Sequence, residues 1–254
     1  PSVIPVIHNG TATQFPEDYE QTLRTLVGTA GHPNINATLI VAMHKDDVYV
    51  KEMLDALKAM EKPVQAVYLK EQSLPEIFAE SKTWLTEAIK EGEKLKREEA
   101  AVTELIVGLE CGGSDAWSGI TANPSMGAFS DLIVEDGGTS ILAETPETIG
   151  GEHIIAKNAS SPEVSEDFLK MVRKYEKRIK DTGEDIRSAN PSPGNMAGGL
   201  TTLEEKSLGC IKKGGNTPLI EAIDYSKAPS KKGFIFMDTP GYDVESVCAL
   251  AAGG

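Results

Sequence analysis

Short apolar runs alternating with helical patterns limit the folds open to this chain. The runs Val3–Ile7, Ala37–Ala42, Val64–Leu69, Glu104–Leu109 and Thr139–Ala143 are rich in β-branched residues and leucine. Each is too uniformly apolar for a strand with one face in water. Between them, Glu17–Val27 places Tyr19, Leu23, Leu26 and Val27 on one face after Pro16, and Asp46–Met60 spaces Val50, Met53, Leu54, Leu57 and Met60 at helical intervals. Ser73–Arg97 opens with a Ser-x-x-Glu capping box, Ser73 and Glu76, and continues the helical period through Ile77, Trp84, Leu85 and Ile89. Such alternation predicts an α/β fold, a mostly parallel sheet with helices on both faces. The division expected is a parallel α/β domain over 1–150 and, over 151–254, a second lobe of helices and irregular loops. That second lobe is expected to be truncated at its C-terminus, because "SVCALAAGG" ends abruptly, and Pro1 is not an initiator; the chain reads as a piece of a longer protein.

Composition excludes some functions. With 39 Asp and Glu against 25 Lys and Arg, the formal net charge is −14, which repels phosphate backbones and anionic membranes. Nucleic acid and membrane are therefore not expected partners. Three widely spaced cysteines, Cys111, Cys210 and Cys248, form no CxxC and suit a reducing compartment, with the cytoplasm as the expected location.

Ligands of parallel sheets sit beyond the carboxyl ends of strands. "ELIVGLECGGSD" places Glu110, Cys111, Ser114 and Asp115 just past one such end, in a Gly-rich turn suited to close backbone approach. "GGTSILAETPETIGGEH" sends the next run into Glu144, Thr145, Glu147, Glu152 and His153, the raw material of general acid–base work or of a hard-metal site. A third stretch, "NPSPGNMAGGLTTLEEK", combines Pro-fixed and Gly-permissive backbone with a helix start that suits a carboxylate substrate. "GFIFMDTPGYD" then reads as a short buried strand ending in Asp238. Each motif also has a plain structural reading. Ser114 and Asp115 would cap a helix, Thr201 with Glu204 or Thr202 with Glu205 would form a capping box, and His153 would be a buried histidine bonded to a carbonyl.

"ECGGSDAWSGITANPSMG", "ETPETIGGEH", "NPSPGNMAGGLTTLEEKSLG" and "FMDTPGYD", in that order, resemble the altronate and galactarate dehydratase family, densely over 104–254 and more loosely before it. The resemblance implies a hydro-lyase that removes water from a sugar acid to give a 2-keto-3-deoxy acid. It also implies a divalent metal, usually Fe2+, with Mn2+ or Mg2+ as substitutes. Carried over motif by motif, it implies catalytic His153, Asp115, Cys111 and Glu147, substrate-binding Ser114, Asn195, Thr201 and Thr202, and metal-binding Glu144 and His153; Lys206, on the helix after the third motif, is expected to bind substrate by adding a positive charge for its carboxylate. A homo-oligomer is expected because symmetric dimers are the commonest outcome, with a small N-terminal domain or subunit as a further expected companion. Many members carry a Gly-Cys pair after the first-strand histidine and another cysteine after the second strand. Here those places read "HNGTATQF" and "AMHKDDVY", without a thiol. The related sulfolactate sulfo-lyase large subunit also lacks them, so elimination of sulfite is the alternative reaction, and a non-catalytic binding or scaffold fragment is the alternative of a different class.

Overall fold

A computed structural model describes residues 3–8 and 13–254. They pack as two units, one of residues up to Glu99 with Ala251–Gly253 and one of Ala100–Leu250 with Gly254. In the first, α1 (Pro16–Gly31), β1 (Thr38–Ala42), α2 (Val48–Ala59), β2 (Val64–Tyr68) and α3 (Leu74–Gly92) alternate as the sequence pattern requires. β1 and β2 form a two-stranded parallel sheet in the register Thr38↔Val64 to Ala42↔Tyr68. Ala30, Met53 and Leu57 form its core, with Leu23, Leu26, Val27, Ile40 and Val64 packed around them. The capping box of α3 is present, with the Ser73 amide donating to Glu76 Oε2 at 2.9 Å.

The expected first strand is not formed. Val3–Ile7 is irregular and strongly exposed, and Pro5 within it removes a backbone donor that a ladder would need. The "HNGTATQF" stretch lies partly outside the described residues.

The second unit holds β3 (Ile106–Leu109), α4 (Ala122–Glu135), β4 (Thr139–Leu142), α5 (Glu152–Lys157), α6 (Pro162–Asp181), α7 (Pro193–Ala197), α8 (Leu203–Cys210), β5 (Leu219–Ile223), β6 (Phe234–Met237) and α9 (Asp243–Gly253). Its sheet runs β3-β4-β6-β5, and every pairing is parallel. The two central strands, β4 and β6, are buried at every position. Their side chains alternate between two cores. Leu142, Phe234 and Phe236 face one core with Phe168 and Val172 of α6, while Ile141, Ile235 and Met237 face the other with Ala249 of α9. Phe168 meets Phe236 edge to face, centroids 4.7 Å apart. Helices thus cover both faces, as the uniform apolar runs demand.

The division expected near residue 150 is corrected by this sheet. β5 and β6, from the part expected to be helices and loops, pair into the sheet begun by β3 and β4, so the break falls between Glu99 and Ala100. β5 went unread because "PLIEAI" is short and carries a glutamate.

Candidate active site

β4 lies between β3 and β6, and all three are parallel, so the segments leaving their carboxyl ends share one edge. Hydroxyls tie two of these ends together. Thr239 Oγ1 donates to the Ala143 carbonyl at 2.6 Å, the Thr239 amide donates to Thr145 Oγ1 at 3.1 Å, and Thr145 Oγ1 donates to Asp238 Oδ1 at 2.7 Å. Burial pushes the Asp238 carboxyl up.

The third motif folds back onto the other two. Asn195 Nδ2 donates to the Ser114 carbonyl at 2.9 Å, and the Ala116 amide donates to the Gly198 carbonyl at 3.1 Å. Lys206 Nζ stands 3.5 Å from Glu147 Oε1. Between the three motifs lies a cavity of about 250 Å³, lined by Cys111, Ser114, Asp115, Glu147, Lys206, Cys210 and Lys213 among others.

Glu147 belongs to a 3-10 turn, Pro146–Thr148, and is 5% exposed. Its Oε1 accepts from Asn190 Nδ2 at 3.5 Å, and its Oε2 has no hydrogen-bond partner among the described residues. Burial pushes its pKa up to about 6 against the pull of the Lys206 ammonium. Gly241 packs against this carboxylate at φ +75°, and a Cβ there would lie 2.4 Å from Oε2. Only glycine suits the position, on both conformation and space.

Lys206 is carried by α8, whose N-cap, Thr202, accepts from the Glu205 amide at 3.1 Å. The ammonium donates to Asn190 Oδ1 at 3.0 Å and Asn195 Oδ1 at 3.4 Å. It is buried, cationic and held on three sides.

Under the cavity, fully buried Glu144 receives Lys213 Nζ on both oxygens, at 2.6 Å on Oε2, and the Cys210 thiol on Oε2. Cys210 Sγ is 3.5 Å from Lys213 Nζ. Burial works against the Lys213 charge, but the Glu144 carboxylate outweighs it and raises its pKa. Burial, then the Glu144 charge, pushes the Cys210 thiol well up, so it stays protonated.

Beside this floor, ligand atoms of Glu110, Cys111 and Asp243 lie within 4.8 Å of one another. Burial and then the charges of Glu144 and Asp243 push Glu110 up to about 8, and burial with Glu144 pushes Cys111 up to about 12. Two carboxylates and a thiol are a donor set that fits a divalent cation of intermediate softness.

Several residues singled out from the sequence stand elsewhere. His153 is exposed on α5 and does not line the cavity, so it stands apart from the motifs it was expected to serve. The reason is local: the turn after β4 buries Glu144 to Thr148, and α5 then carries the chain outward. His153→Asn is accordingly expected to change stability by no more than about 0.5 kcal/mol and to leave turnover intact, as steady-state assay would show. Glu144 is consumed by Lys213 and Cys210 and is no free metal ligand. Asp115 lines the cavity but is spent on a turn. Its Oδ1 accepts from the amides of Trp117 and Ser118 at 2.9 and 2.8 Å and from the Ser118 hydroxyl, bonds that hold its carboxyl below the usual range. A carboxylate so satisfied makes a poor base. Thr201 and Thr202 cap α8 in place of touching the cavity, the Thr201 amide and hydroxyl both donating to Glu205 Oε2. Asn195 stands behind Lys206. Cys111, Ser114, Glu147 and Lys206 do line the cavity, while Lys213, Cys210, Asn190 and Asp243 were not anticipated. The i, i+3 spacing of Cys210 and Lys213 was the available signal, but in "GCIKKGG" nothing separates a buried lysine from its solvated neighbour.

Comparison with known proteins accounts for the order of these motifs. Residues 102–254 match the C-terminal domain model of D-galactarate/altronate dehydratase, and residues 1–93 match the second-domain model of D-galactarate dehydratase/altronate hydrolase. The chain belongs to this dehydratase family. It is 34% identical over 253 residues to an altronate dehydratase of Bacillus subtilis, covering 100% of this chain and 50% of that protein. It is 41% identical over 148 residues to the L-threo-forming galactarate dehydratase of Escherichia coli, covering 58% of this chain and 28% of that one. To the beta subunit of a (2R)-sulfolactate sulfo-lyase of Chromohalobacter salexigens it is 33% identical over 243 residues, covering 95% and 62%. The chain spans about half the length of the altronate dehydratase it matches. Among the described residues, no helix is long and apolar enough to cross a membrane.

Proposed function

We propose that the second unit carries the active site of a hydro-lyase that dehydrates a sugar acid of the galactarate or altronate type to a 2-keto-3-deoxy acid. The observation that carries this reading is the Glu147 carboxylate, a cavity-lining acid with a pKa near 6 whose Oε1 stands beside the Lys206 ammonium. A proton α to a carboxylate is weakly acidic, and its removal needs a base that is ionised yet poorly solvated. The Glu147 carboxylate takes that proton, and the C–H electron pair enters the enediolate. Lys206 and Lys213, which both line the cavity, supply fixed positive charge for the developing oxyanion. The C–O bond to the β-hydroxyl then breaks, and the hydroxide leaves as water with a proton from the site. The enol product becomes the 2-keto acid.

Glu110, Cys111 and Asp243 are the residues that would hold a divalent cation here, Fe2+ or Mn2+ suiting the mixed donors better than Mg2+. Such an ion supplies Lewis-acid polarisation of the substrate's oxygens. The sulfo-lyase relative, of which the chain spans 62%, supports a second reading with the same proton abstraction and sulfite as the leaving group. A turnover panel of galactarate, altronate and sulfolactate, each with Fe2+, Mn2+ and Mg2+, separates them. The hydro-lyase reading expects a 2-keto-3-deoxy acid without sulfite, and sulfite from sulfolactate alone would overturn it in favour of the second.

A further inference from the structure

We infer, resting on the dehydration proposed above, that Asp115 and Glu205 set the substrate class of the cavity: they receive the hydroxylated end of a sugar acid with one carboxylate and turn away an acid with a carboxylate at each end. The burial of the lining residues gives the cavity a floor and a mouth. Glu147, Lys206, Cys210 and Lys213 are buried, whereas Asp115 is half-buried and Ile120, Glu205 and Leu208 are exposed. Both lysines of the lining therefore lie deep, and Asp115 and Glu205 stand nearer the entrance.

A substrate whose α-proton meets Glu147, and whose oxyanion faces the lysines, enters with its reacting carboxylate first. Its far end is then left at the mouth. Both acids there are ionised: the Ser118 amide and hydroxyl and the Trp117 amide, all on Oδ1, hold the Asp115 carboxyl below the usual range. The Thr201 hydroxyl and amide, both on Oε2, do the same for Glu205. The same bonds fix where each charge stands. A carboxylate accepts at both of its oxygens, so each of these acids can still receive a sugar hydroxyl.

A hydroxymethyl group at the far end donates to such an acid and lays its carbon against Ile120 or Leu208, which line the same mouth. A carboxylate at that place can do neither. It has no proton to donate, it sets a like charge beside two others, and it gives up water to two apolar side chains. The ammoniums that would relieve it are at the floor. Selectivity then comes from repelling the wrong acid as much as from holding the right one.

The test is the ratio of kcat/KM within pairs of acids alike at C2 to C5 and different only at C6, galactonate with galactarate and altronate with altrarate, each with Fe2+, Mn2+ and Mg2+. At low ionic strength the wild type is expected to favour the single-carboxylate member about 10-fold, a preference moderated by the exposure of Glu205 and shrinking as salt is raised. Combining Asp115→Asn with Glu205→Gln removes both charges and keeps acceptors for Ser118 and Thr201. This double variant should bring the ratio close to one by raising kcat/KM for the dicarboxylate, with thermal melting to confirm folding; damage to the fold would lower both members of a pair alike. A folded double variant with the wild-type ratio would overturn the role of the two acids, and a wild type that turns over the dicarboxylate as well as its partner would do the same, each leaving the dehydration in place. Failure to turn over any of the four acids would overturn the dehydration itself, and the substrate class with it.

Discussion

Glu147→Gln is expected to lower kcat by about 10²- to 10⁴-fold, the range that a positioned general base contributes, with the fold intact. The glutamine keeps the shape of the side chain against Gly241 and Pro146, and its carbonyl can still receive Lys206 and Asn190, so packing around the 3-10 turn survives. It has no oxygen that can accept and hold a proton. A control at the surface, Glu163 on the first turn of α6, shares the charge change but none of the cavity, and Glu163→Gln should leave turnover unchanged. The sign of the pH dependence follows from the shifted pKa. Burial raises Glu147 to about 6, so it is protonated and inactive as a base at lower pH and becomes competent as pH rises through that value. Activity should therefore climb across pH 5 to 7 and flatten above.

Glu144→Ala is the largest expected effect on stability. It would leave the Lys213 ammonium buried with only the Cys210 sulfur for company, and an uncompensated buried charge costs about 3–5 kcal/mol. The loss is larger than for any surface ion pair in this chain, since pairs such as Lys177–Asp181 on α6 remain in water. A urea unfolding midpoint measured for the single variant and for Glu144→Ala combined with Lys213→Met checks the argument. The double variant should recover part of the loss, because removing both charges removes the orphan. Equal destabilisation in the two would mean that Glu144 acts through packing instead of charge.

Much of the fold was legible because its signals are local. Uniformly apolar runs such as "TSIL" and "FIFM" mark strands buried on both faces, and β4 and β6 are the two such strands. Capping residues fixed the start of α3 and of α8. What failed was non-local. Nothing in "PLIEAI" tells that β5 joins a sheet begun more than a hundred residues earlier, next to β6, and the domain boundary was misplaced for that reason. In the site, the convergence of three motifs followed from parallel strands ending on one edge, and Glu147 and Lys206 line the cavity between them. His153 failed because a residue type was weighed without its helix face. Asp115, Thr201 and Thr202 proved to be turn and cap residues, for which a local account was always sufficient. Lys213 and Asn190 were invisible because their roles depend on partners 69 and 43 residues away.

The central claim is that Glu147, raised by burial and standing beside Lys206, is the base of this cavity. The pH profile of kcat/KM for the proposed sugar-acid substrate tests it most directly, because it reads the ionisation of the free enzyme. The account predicts a rising limb with a midpoint near pH 6 in the wild type, and no such limb in the residual activity of Glu147→Gln. A wild-type profile flat from pH 5 to 8, or a limb that persists unchanged in Glu147→Gln, would contradict it.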